Sequence, residues 1–117
     1  MTGEQLKAIC AHNAWSALVE DHGILQVSGV AYSWREAGPG KVEVLEVTVG
    51  GKPLDPAATY RCVSTDFVVF DNPEKYLGFV PATRENVSLF SQDVLLEAVK
   101  SGKSISNSVD GRIRRAP

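Results

Sequence analysis

Apolar side chains at Leu6, Ile9, Cys10, Ala14, Ala17 and Leu18, with Asn13 among them, recur at three- and four-residue spacing, which predicts an amphipathic helix at the start of the chain. Thr2 caps it, and Gln5 three positions on completes a capping box. Asp21-His22-Gly23 is read as its end, with Gly23 as the residue after the cap and His22 suited to the negative end of the helix dipole. Residues 24–34 are rich in β-branched and aromatic residues and predict a strand, with Gly29 marking a bulge or a close backbone approach. Ala37-Gly38-Pro39-Gly40 is a turn signal. Residues 41–49 predict a second strand whose phase flips: Val42 and Val44 share one face, whereas Leu45, Val47 and Val49 share the other. One extra residue in a β-bulge produces such a flip. Gly50-Gly51 turns the chain, and Asp55 before Pro56 is set to open a short helical turn.

Residues 60–70 predict a third long strand. Residues 71–87 have no clear period and contain Pro73, Gly78 and Pro81, so they read as a long loop, a length usually tied to function or mobility. Ser91 is expected to cap a second helix, with Val94, Leu95, Ala98 and Val99 on one face and Gly102 at its end. The tail from Ser104 to Pro117, with Ile105, Val109 and Ile113, reads as a last short strand before a basic end. Grouped strands with flanking helices indicate an α+β fold: a mixed or antiparallel sheet of about four strands packed with two main helices, in one domain over residues 1–117.

Composition narrows the function classes. A chain of 117 residues with 44% hydrophobic and 22% charged residues is an ordinary globular chain, large enough for one core. Net charge −2 provides no basic face overall, which argues against nucleic-acid binding. No apolar run is long enough for a membrane span. Met1 leads into polar Thr2-Gly3-Glu4-Gln5, so an export signal, if the natural protein carries one, lies outside this sequence. Cys10 and Cys62 allow either one disulfide or two buried free thiols.

Catalytic constellations are missing. His12 and His22 are the only histidines and form no metal-ligand motif, and no nucleophile sits in an elbow or beside a base. The paired Glu43 and Glu46 read as solvated strand carboxylates, and Arg112, Arg114 and Arg115 as a solvated tail. No metal or cofactor is expected in this chain.

Four ordered segments carry a resemblance. They are Thr2-Gly3-Glu4-Gln5-Leu6; Leu25-Gln26-Val27-Ser28-Gly29-Val30 with Tyr32; Val47-Thr48-Val49-Gly50-Gly51-Lys52-Pro53-Leu54-Asp55-Pro56 with Tyr60; and Asp110-Gly111-Arg112-Ile113. With Thr65-Asp66-Phe67, they resemble the C-terminal domain of the 5′-nucleotidase family over nearly the whole chain, entering after that domain's opening strands. The resemblance implies a non-catalytic substrate-specificity domain, a nucleotide or related small phosphoester as ligand, and an N-terminal metallophosphatase domain with two divalent metals as partner. It also implies a role in nucleotide catabolism and a periplasmic, cell-surface or secreted parent. Phe67 matches a base-stacking aromatic. The family's Gly-Gly-Asp-Gly-Tyr loop is replaced by Asn72-Pro73-Glu74-Lys75-Tyr76, placing Glu74 where the ribose-binding acid stands and keeping Tyr76. Each residue also has a plain structural reading: Phe67 a strand-end aromatic, Glu74 a solvated carboxylate, Tyr76 a loop anchor. A module that keeps the fold without nucleotide binding is the alternative. Without the opening strands, the strand at 24–34 is expected to leave a bare sheet edge through which copies of the chain associate.

Overall fold

Thr2 caps α1 (Gly3–Leu18) through the expected reciprocal box: its hydroxyl accepts from the Gln5 N–H, and the Gln5 side chain accepts from the Thr2 N–H. The computed structural model describes residues 1–19 and 23–117. The helix stop expected at Asp21-His22-Gly23 therefore lies partly outside the described residues, Asp21 and His22 among them; α1 itself ends at Leu18, with Val19 donating back to the Trp15 carbonyl.

The sheet contains β1 (Val30–Gly38), β2 (Lys41–Val49), β3 (Lys52–Pro53) and β4 (Ile113–Arg115) in the order β3-β2-β1-β4. β1–β2 and β2–β3 are antiparallel hairpins, whereas β4 returns parallel to β1. This is the predicted α+β architecture with a four-stranded mixed sheet. The predicted bulge is present: Ser33 pairs with Glu46 and Trp34 with Val44, leaving Leu45 as the extra residue. The slip brings Val42, Val44 and Val47 to one side, where they pack against Cys10, Ala14, Tyr32 and Trp34, while Leu45 faces out. A second cluster on another side of α1 joins Ile9 to Val68 and Leu77.

Several expectations are corrected. The strand expected at 24–34 begins only at Val30. The Asn13 amide takes both the N–H and the C=O of Leu25, tying that stretch to α1 instead of a ladder. Nor is β1 an edge. β2 lies on one side, and on the other β4 covers Tyr32–Trp34, with Tyr32 donating to the Arg112 carbonyl and Ala116 to that of Trp34, each at 2.7 Å. The Arg112 guanidinium fixes this return, hydrogen-bonding Asp110, whose carboxyl it holds down at about 2, and reaching the Val27 carbonyl at 2.7 Å. The chain thus covers the very edge at which copies are expected to associate.

The strand expected at 60–70 is replaced by an irregular stretch and a π-helical turn (Phe67–Asp71). A β-prone sequence becomes a strand only beside a strand with free groups; β1 is paired on both sides, and β3 stops after two residues. The Asp66 carboxylate accepts from the Phe67 N–H and starts the turn. Asp55-Pro56 does open a single turn as expected, with Ala58 N–H donating to the Asp55 carbonyl at 3.3 Å and Ala57 N–H to the Asp55 carboxylate at 2.9 Å. The loop expected at 71–87 opens with a short helix, α2 (Pro73–Leu77), ended by Gly78 at φ +82°. The second main helix, α3 (Ser91–Lys100), is capped by Phe90 and not by Ser91, which is its first residue. Gly102 closes it, with Gly102 donating to the Val99 carbonyl and Lys103 to that of Ala98. Within the described residues α3 touches no other element, so it does not join the sheet packing. Both cysteines are free; Cys10 is buried and Cys62 exposed, so neither the disulfide nor a buried pair is formed.

Candidate functional site

The π-helical turn and α2 gather the aromatic residues singled out in the sequence. Asn72 fixes the junction: its N–H and its side-chain amide both donate to the Phe67 carbonyl, at 3.0 and 3.3 Å. Pro73 then starts α2 at the position where its missing N–H leaves no bond unmade. α2 is pinned to α1 by Leu77 in the Ile9–Val68 cluster and by His12, whose Nε2 lies 2.7 Å from the Lys75 carbonyl. Gly78 lets the chain leave past His12; a Cβ there would sit 3.1 Å from the imidazole.

This scaffold presents Phe67, 51% exposed, against Tyr76 in an edge-to-face contact with ring centroids 5.7 Å apart and planes at 63°. Phe67 and Tyr76 are thus brought together. Glu74 is not: two residues before Tyr76 on the same helix, it does not share that residue's face, and its carboxylate makes no hydrogen bond or ion pair among the described residues.

Two cations lie near aromatic rings of the π-helical turn and α2. Lys75 Nζ is 5.9 Å from the Tyr76 centroid, and the Arg84 guanidinium stacks 5.3 Å over Phe70 while donating to the Val69 carbonyl. Sequence reading misses Phe70 and Arg84. Phe70 follows Phe67 by three, which puts the two on opposite faces of the expected strand and gives no reason to group them. The surface therefore offers partly exposed π-faces with nearby positive charge, suited to a flat ligand. Among the described residues, no group of three or more His, Cys, Asp or Glu side chains is placed to hold a metal ion.

No helix among the described residues is long and apolar enough to cross a membrane. No curated protein and no solved structure matches the chain. A family model does, that of the 5′-nucleotidase, C-terminal domain, over residues 1–77. The matched span runs from the capping box through the bulged hairpin to α2, and so includes Phe67, Glu74 and Tyr76. The chain belongs to the 5′-nucleotidase C-terminal domain family.

Proposed function

We propose that the chain is a non-catalytic substrate-recognition domain of a 5′-nucleotidase-type hydrolase. In this reading phosphoester hydrolysis belongs to an N-terminal metallophosphatase domain holding two divalent metals, and the parent acts in nucleotide catabolism outside the cytoplasm. The observation that carries the proposal is the half-exposed Phe67 ring, held edge-on to Tyr76. A base stacked on that ring gains roughly 1–3 kcal/mol with little dependence on which base it is. Glu74, on a different face of α2 from Tyr76, enters this reading only through the family resemblance, as the ribose contact.

Titration with AMP and with adenosine, followed by amide NMR, tests the reading. Shifts are expected at Phe67, Tyr76 and their neighbours, lost in Phe67→Ala while β1 and β2 stay unperturbed. In Glu74→Gln, weakening confined to ligands with a free ribose diol supports the ribose contact. Absence of any shift up to millimolar ligand overturns nucleotide recognition, and Mn²⁺-dependent phosphoesterase turnover by this chain overturns the non-catalytic role. A second reading, a structural module without ligand, is favoured by one observation: Asn72-Pro73-Glu74-Lys75 builds a helix end with Pro73 buried where the resemblance places a glycine loop. The same titration separates the two.

A further inference from the structure

Of the two cations near the aromatic rings, one is already bound. The Arg84 guanidinium donates to the Val69 carbonyl at 3.1 Å while it stacks over Phe70. Lys75 is different. Its ammonium lies 5.9 Å from the Tyr76 centroid and makes no hydrogen bond or ion pair among the described residues, so all its donors are unspent. The backbone that carries it is nonetheless fixed. The Lys75 carbonyl lies 2.7 Å from His12 Nε2, and the next two residues, Tyr76 and Leu77, pack in the Ile9–Val68 cluster. Carboxylates close in the chain do not neutralise it. Asp66 accepts from the Phe67 N–H, and Asp71 and Glu74 form no ion pair among the described residues.

Three groups are therefore linked in space: the half-exposed Phe67 ring, the Tyr76 ring 5.7 Å from it, and a free ammonium over Tyr76. The cation takes one face of Tyr76 and leaves Phe67 as the platform for a base. Resting on the reading that Phe67 stacks a base, we propose that Lys75 sets the charge of the ligand. It selects a phosphorylated nucleoside over the free nucleoside by pairing with the phosphate, the sugar being directed over Tyr76. A lysine ammonium suits this task because it acts as a point charge and needs no planar, two-pronged partner. The selection has a direction. Hydrolysis removes the group that Lys75 holds and leaves the nucleoside with stacking alone. The same residue thus favours entry of the ester and departure of the nucleoside.

The test compares the affinities of AMP and adenosine for the full chain by amide NMR, at about 20 mM salt, where charges are little screened. AMP is expected to bind about threefold more tightly than adenosine, the scale of one exposed ion pair. Lys75→Gln is expected to bring the two affinities together by weakening AMP alone. Lys75→Arg is expected to keep the preference, and about 0.5 M salt to erase it. Adenosine affinity stays the same in every chain, and unchanged β1 and β2 amides show that each is folded. Adenosine binding at Phe67 with no preference for AMP, or a preference that survives Lys75→Gln, overturns the role of Lys75 and leaves base stacking in place. Shifts from neither ligand overturn both.

Discussion

Asn13 lies on the buried side of α1, yet it has no unmet polar group: its side chain serves Leu25 twice and the Tyr32 hydroxyl once, at 2.8 Å. Beside it, burial raises the Tyr32 hydroxyl's pKa and pushes the Cys10 thiol up to about 11. The sign of the resulting pH dependence is fixed. Between the ordinary thiol value of 9.0 and about 11, the unfolded chain has released the Cys10 proton while the folded chain holds it, so stability is full below that window and falls as pH rises through it. Tyr32, raised by the same burial, adds in the same direction at higher pH. Urea midpoints measured from pH 8 to 11 are expected to decline, with a shallower decline in Cys10→Ala; identical slopes would contradict the assignment to Cys10. Thiol labelling gives a second reading, since exposed Cys62 reacts in the native state while Cys10 waits for unfolding.

Elements differ in how far the sequence foretells them. The capping box, the two glycine turns and the bulge at Leu45 are legible because each is written in residues a few positions apart. Residues 24–29 and 60–70 are not, because their fate is decided by distant groups: the Asn13 amide for the first, the lack of a neighbouring free strand for the second. At the candidate site, Phe67 and Tyr76 are found through the resemblance, whereas Phe70 and Arg84 become visible only once the turn is helical. The two helices that follow the π-helical turn invite a direct comparison. Leu77 of α2 is buried in the second cluster, and Leu77→Ala is expected to cost about 2–4 kcal/mol in urea unfolding. α3 has no buried residue, and an isolated ten-residue helix is marginal in water. Leu95→Glu is therefore expected to change stability by less than about 0.5 kcal/mol. A large loss from Leu95→Glu would mean that α3 packs where no contact is described.

At the scale of the whole molecule, the Cα radius of gyration is 15.2 Å, against roughly 13 Å for a compact chain of this length. The excess fits an α3 segment that stands off the body, with Phe90 70% exposed at its entrance. The ordered body depends instead on the return of the last residues to β1. There Arg115 stacks 5.3 Å over Trp34, reaches Glu36 at 2.8 Å, and is followed by the Ala116 bond to the Trp34 carbonyl. Trp34 is 5% exposed, whereas Trp15, the other tryptophan, is 38% exposed beside His12. The molecule consequently carries its own optical probe of whether the carboxyl-terminal strand is docked. In a Trp15→Phe background, emission from the buried indole is expected at short wavelength, and removing residues 113–117 is expected to shift it toward the red before any far-ultraviolet dichroism of α1 is lost. An unshifted spectrum would mean that the indole is shielded by the helix alone. A shifted one turns intrinsic fluorescence into a continuous, label-free readout of sheet closure during ligand addition.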